Sequence, residues 1–208
     1  QSLAILLGVA DERRAEQTYG NQHVTEHGVP CLWPVYLRFE PDFGRHSGTV
    51  WPFIQGFWAW AAHKCGNMSL FAKEFLALTE LAARSNEFLE IYHPVTGEPY
   101  GGMQCGFLWN STHNQTWSAT AYLSMVHHNL FGMKFLLDGI EFDPLVPPDL
   151  SGKPVRLLNF RYRNATLDIT IHGGGEVVDR FLIDGEEQQS AFFPASIPGR
   201  HEVEMHVQ

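Results

Sequence analysis

Apolar residues recur at helical spacing through the earlier part of the chain and at alternate positions near its end. Leu3, Ala4, Leu6 and Leu7 begin a helical pattern at the amino end, and Gly8 ends it. Asp11 is placed to cap the next helix, with Glu12 in its first turn, where free N–H groups favour carboxylates. A longer helix is expected from Trp51-Pro52, because a first turn does not need the N–H that proline lacks. Its apolar residues, Phe53, Phe57 and Trp60 with Ile54, Trp58 and Ala61, occupy two faces, so it should be packed on most sides. Asn67 or Ser69 can cap a helix through Leu70, Phe71, Phe75, Leu78 and Ala82. Ala119, Leu123, Val126 and Leu130 mark another, ended by Gly132. A long connection from Gly20 to Gly48, with Pro30, Pro34 and Pro41, separates the early helices from the rest. A loop of that length in a compact domain is more often functional than idle.

The period changes near Gly139 to Pro148. Pro144, Pro147 and Pro148 form a stiff linker, after which Leu167, Ile169 and Ile171 alternate with Thr166, Asp168, Thr170 and His172. Gly173-Gly174-Gly175 turns the chain, Val177, Phe181 and Ile183 resume the alternation, and Val203, Met205 and Val207 end it. The expected fold is therefore mostly α: a helical portion at 1–138, of the kind that builds a toroid. A small antiparallel, sandwich-like β domain follows at 139–208.

Composition narrows the function. A hydrophobic content of 44% against 18% charged residues describes a globular chain. The net charge of -9 argues against a nucleic-acid partner, which needs a basic footprint, and against an anionic membrane surface. The apolar run from Phe53 to Ala62 is too short to span a bilayer. No secretory signal pattern opens the chain. The start within a helical pattern suggests a piece of a longer protein. Cys31, Cys65 and Cys105 are odd in number, so no complete disulfide framework is expected. Acceptor patterns for N-glycosylation at Asn67, Asn110, Asn114 and Asn164 tilt towards an extracytoplasmic route. Neither a metal nor a cofactor is expected. His23 and His27 lie in a region broken by Gly28 and Pro30, and the adjacent His127 and His128 cannot face one ion from one helix.

Two stretches carry chemistry. In Phe88-Leu89-Glu90-Ile91-Tyr92-His93-Pro94-Val95-Thr96-Gly97-Glu98, a carboxylate flanked by large apolar residues precedes a Pro/Gly turn. That is the setting for a partly desolvated general base, Glu90, with Tyr92 as a substrate contact. In Arg45-His46-Ser47-Gly48-Thr49-Val50-Trp51-Pro52, His46 can bond a sugar hydroxyl and the Trp51 indole can stack on a sugar face. Trp117, before Ser118 and Ala119, is a third candidate platform. Local bulk alone also allows Glu90 to be a solvated residue and the tryptophans to be core.

The loop at 46–52 resembles the HNG-x-VW loop of the six-hairpin glycosidases. Residues 90–98, with Trp117-Ser118-Ala119, resemble the ENY-x-P-x-TGE … WSA pattern of their processing α-glucosidase branch, glycoside hydrolase family 63. Ser47 and Ile91 stand where that pattern has asparagine. The resemblance implies that residues 1–138 are the C-terminal part of an (α/α)6 barrel, whose remainder lies in the same polypeptide. It implies an inverting hydrolase of oligosaccharides with Glu90 as general base and an upstream aspartate as general acid. Such carboxyl groups stand roughly 6.5–9.5 Å apart to admit water. The alternatives are a phosphorylase of the same group, for which Arg45 and His46 are phosphate candidates, and a non-catalytic carbohydrate-binding or scaffold protein.

Overall fold

In a computed structural model of the protein, residues 1–39 and 42–208 are described; Pro41 of the long connection lies outside them. The chain forms two compact units, Gln1–Met125 and Val126–Gln208. The division falls before the change of period, because a short strand at Met133–Phe135 already pairs with the strand that follows it.

The first unit holds the helices. They are α1 (Ser2–Leu6), α2 (Glu12–Gly20), α3 (Pro52–Lys64), α4 (Met68–Ser85) and α5 (Thr116–Ser124). The caps follow from local chemistry: Asp11 accepts the Arg14 N–H at 2.9 Å, and Asn67 accepts the Leu70 N–H at 3.1 Å. Pro52 takes the first turn of α3. α3 packs against α1, α4 and α5, which buries Trp58 and Ala61, whereas Phe57 and Trp60 on its other face stay exposed, against the expected packing on most sides. A π-helical turn, Met125–Leu130, continues from α5.

Extended segments between the helices are tied into a short ladder. Val50 and Tyr92 exchange both backbone hydrogen bonds, at 3.1 and 2.9 Å, and further bridges link Pro30 to Val50 and Tyr92 to Pro99. A small hairpin, β1 (Met103–Gln104) with β2 (Phe107–Leu108), follows.

The second unit contains β3 (Met133–Phe135), β4 (Gly139–Phe142), β5 (Val155–Tyr162), β6 (Ala165–Gly173), β7 (Val178–Ile183), β8 (Glu186–Glu187), β9 (Phe192–Pro194) and β10 (Gly199–Val207). They form a three-stranded sheet, β3-β4-β9, and a five-stranded sheet, β5-β6-β10-β7-β8. Ring contacts between Phe142 and Phe181 and between Tyr162 and Phe193 join the two sheets. Leu167, Ile169, Ile171, Val203 and Met205 are buried, as strict alternation requires.

The mostly α expectation is overturned: helix makes up 32% and strand 29%. Two physical reasons account for it. The connections between helices are extended and bridged rather than helical, and the β unit is larger than the period-two segments alone indicated. That unit is not purely antiparallel either, since β6 and β10 run parallel.

A buried carboxyl anchors the long connection to the helices. Glu74 on α4 is 0% exposed. Its Oε2 accepts the Val29 N–H and the Gln55 Nε2–H, each at 3.1 Å, and the same amide donates to the His27 carbonyl. Oε1 of Glu74 and Oε1 of Gln55 are buried without hydrogen-bond partners among the described residues. Burial pushes the Glu74 pKa up from 4.5 to about 7, against the opposing pull of its hydrogen bonds and Lys73.

The folded protein thus holds this proton more tightly than the unfolded chain does. Glu74's contribution to stability is complete below pH 4.5 and is lost as pH rises to about 7, a change of about 3 kcal/mol. Urea unfolding of Glu74→Gln, which keeps the acceptor and adds a permanent donor, should show this slope removed. In the same unfolding assay, Gly132→Ala should destabilise by about 1–3 kcal/mol. Gly132 has φ +61°, and an added Cβ would meet the Asp143 backbone at 1.9 Å.

Candidate functional site

The two motifs are brought together by the Val50–Tyr92 bridge. On either side of it Arg45 and Glu90 meet: Arg45 Nη2 donates to Glu90 Oε2 at 2.8 Å. Thr112 Oγ1 donates to the same oxygen at 2.9 Å, and the Glu90 N–H donates to the Thr112 carbonyl at 2.9 Å. Among the described residues no donor reaches Glu90 Oε1. The residue is 7% exposed, and its carboxylate is held through Oε2 alone among the described donors.

Arg45 is fixed in turn. Its Nη1 donates to the Gly101 carbonyl at 2.9 Å, and its guanidinium lies 5.3 Å from the Trp51 ring and 5.9 Å from the Trp109 ring. The Arg45 carbonyl accepts Thr49 Oγ1–H at 2.7 Å and Trp51 Nε1–H at 2.9 Å, which closes the 45–51 turn. Ser47 Oγ accepts the Tyr36 N–H at 2.9 Å and so ties the long connection to the same turn.

Close approach at this point depends on two glycines. A Cβ on Gly102 would lie 2.4 Å from Arg45 Cα, and one on Gly101 would lie 2.2 Å from the Trp109 carbonyl oxygen.

Around this pair the rings form a chain. His46 stacks on Trp51 at 5.0 Å, Trp51 meets Trp117 at 6.0 Å, and Trp117 stacks on Phe53 at 5.0 Å. Trp51 is only 4% exposed and Trp117 is 43% exposed, so the open aromatic face belongs to Trp117. Two cavities flank the chain. One, of about 540 Å³, is lined by Tyr36, Arg38, Arg45, His46, Met103 and Cys105. The other, of about 530 Å³, is apolar and lies between α3 and α5, with Phe53, Phe57, Trp60 and Trp117 in its wall. Glu90 lines neither and reaches the first through Arg45.

Tyr92 sits elsewhere. It is 1% exposed, packs with Val50, Leu81 and Leu89, and its hydroxyl oxygen accepts the Leu89 N–H at 3.2 Å. Burial pushes its hydroxyl pKa up. The substrate contact expected of it therefore has no surface to act through, and Tyr92 serves as a buried brace with a polar tip.

His93 organises the turn after the carboxylate. Its Nδ1 accepts the N–H groups of Val95 and Thr96, each at 3.2 Å, while burial and then the charge of His27 push its pKa down. Glu87 plays a similar part for the 113–114 segment. It binds His113 at 2.7 Å and accepts the Asn114 N–H at 2.9 Å, and its pKa falls for those reasons in that order.

The structure thus gathers Glu90, His46, Trp51 and Trp117 into one neighbourhood and leaves Tyr92 in the core. Sequence reasoning did not single out Thr112 or Trp109. Arg45 drew notice only as a phosphate candidate, although its place directly before the 46–52 motif was a usable signal. Thr112 carries no such signal, since its role depends on segments 88–92 and 111–115 lying side by side.

Comparison with known families places this geometry. No curated protein matches the chain. The sequence profile of the mannosylglycerate hydrolase MGH1-like glycoside hydrolase domain matches residues 3–118, more than half of the chain and the stretch that holds Glu90, Arg45, Trp51 and Trp117. The chain therefore belongs to this family of glycoside hydrolases.

Proposed function

We propose that this chain carries the water-activating half of an inverting glycosidase, with Glu90 as general base. The single observation behind this reading is the asymmetry of the Glu90 carboxylate. Arg45 and Thr112 fix Oε2, and no described donor occupies Oε1. A carboxylate serving only as an ion-pair partner gains from satisfying both oxygens. One that must take a proton from water needs an oriented, open oxygen.

The catalytic role belongs to the first unit, and the β unit is a separate C-terminal domain. His46 supplies a hydroxyl contact, and Trp117, backed by the buried Trp51, supplies the aromatic wall. The two motifs support affiliation with the six-hairpin glycosidases and an α-glucosidase-like oligosaccharide substrate. The general acid is assigned to another part of the polypeptide, because the lining of the cavity at Arg45 holds no carboxylate among the described residues. Arg45 is engaged by Glu90 and Gly101, which favours hydrolysis over phosphorolysis.

A second substrate reading has its own support. The family name refers to mannosylglycerate, a glycoside with an anionic aglycone, and Arg38, Arg45 and His46 line the cavity beside Glu90. Comparing kcat/KM for neutral oligosaccharides and for mannosylglycerate separates the two substrates.

In the full-length protein, Glu90→Gln should lower kcat by about 10²–10⁴-fold while leaving the fold intact. Proton NMR of the first product formed by the unsubstituted enzyme should show the inverted anomer. Unchanged turnover in the variant would remove Glu90 as the base. First product with retained configuration would remove the inverting mechanism.

A further inference from the structure

His172 and His206 stand side by side on the outward face of the five-stranded sheet, with Glu204 next to them. The parallel register of β6 and β10 sets His206 opposite His172 and Glu204 opposite Thr170. Alternation sends Ile169, Ile171, Val203 and Met205 into the core and leaves these three side chains half-buried on the other side. One donor atom from each residue lies within 4.8 Å of the others, and His172 Nε2 is 3.3 Å from Glu204 Oε2. The two imidazoles stack at 4.8 Å with planes 14° apart, so both rings extend over the same patch.

These separations suit a small cation. Zinc bonds nitrogen and oxygen at about 2.0–2.2 Å in tetrahedral geometry, which sets neighbouring ligand atoms about 3.3 Å apart. The His172–Glu204 pair already has that spacing, and small rotations of the His206 ring bring in the third donor.

The surrounding charges leave the group available. Arg180, opposite His206 on β7, is directed to Glu187 at 3.3 Å, and Asp168 is held by Arg200 at 2.6 Å. Arg156, opposite Thr170 on β5, makes no ion pair with a described residue. The His206 ring makes its stacking contact and no hydrogen bond to a described residue.

We infer that His172, Glu204 and His206 form a three-ligand site for a divalent first-row cation of the zinc type, with water completing the coordination. Two imidazoles and one carboxylate are a donor set for zinc, nickel, copper or iron rather than for calcium or magnesium, which take oxygen ligands. The site ties β6 to β10, the parallel pair at the centre of the sheet. The pairs His23/His27 and His127/His128 stand out in the sequence because they are close in the chain. This trio comes from strands with β7, β8 and β9 between them in sequence and became visible only through their register.

The test is calorimetric titration of Zn²⁺ into metal-stripped full-length chain, alongside His172→Gln, His206→Gln, the double variant and a His23→Gln control. Equal thermal midpoints in chelator verify that all variants fold. One Zn²⁺ per chain is expected, with affinity at least tenfold lower in each single site variant and unchanged in the control. Zn²⁺ should raise the thermal midpoint of the unsubstituted chain and not that of the double variant. Co²⁺ should give a four-coordinate visible spectrum that the double variant lacks. Undiminished Zn²⁺ binding by the double variant, or no saturable binding by the unsubstituted chain, would overturn the site.

Discussion

The ion pair between Arg45 and Glu90 governs the arrangement of the first unit. Taking both charges out of water costs several kcal/mol per ion, and the attraction between them offsets this only when the remaining donors and acceptors are served. The surrounding structure meets that demand piece by piece. Thr112 and the Gly101 carbonyl supply hydrogen bonds, and Trp51 and Trp109 lie within reach of the guanidinium. The backbone bridge between Val50 and Tyr92 fixes the distance between the segments that hold the two charges. Gly101 and Gly102 follow from the same constraint, since a side chain at Gly102 would displace the Arg45 backbone and one at Gly101 the Trp109 backbone.

A buried ion pair is weak evidence for stability, because a well-packed apolar pair in its place often does as well. Its presence therefore calls for another reason. Oε1 of Glu90, which no described donor reaches, offers one, since it leaves this buried carboxylate incompletely bonded. The proposed general-base role would use that oxygen for proton transfer. The more deeply buried Glu74 is different: its bonds go to Val29 and Gln55, and they moor the connection rather than face a cavity.

Much of the local structure was legible in the chain. Asp11, Pro52 and Asn67 announce helix starts through chemistry that acts within a few residues, and each helix begins where those residues place it. The grouping of Glu90 with His46 and Trp51 was implied only by the resemblance of both motifs to loops of one glycosidase barrel, since neither motif alone says that the two are neighbours. Tyr92 was misplaced because an aromatic two residues beyond a candidate base reads equally well as wall or core. Its burial against Val50, Leu81 and Leu89, with its hydroxyl bonded by the Leu89 N–H, distinguishes them. The mostly α expectation failed for a related reason. Helical periodicity is a local signal, whereas the bridges among Pro30, Val50, Tyr92 and Pro99 join residues far apart in sequence and leave no periodic trace.

The β unit carries the same lesson one step further. Alternation along β6 and β10 told which residues face outwards, since an inward polar residue would be desolvated without a partner. It could not tell which outward residues are neighbours. A parallel pair with β7, β8 and β9 between its strands in sequence fixes that by register alone: His172 meets His206, Thr170 meets Glu204 and Asp168 meets Glu202. A shift by one residue would send these polar side chains into the core, so burial of Ile169, Ile171, Val203 and Met205 locks the register. The apolar inner face therefore sets the spacing of the outer one. In both units the packing of inert residues fixes where the reactive ones meet.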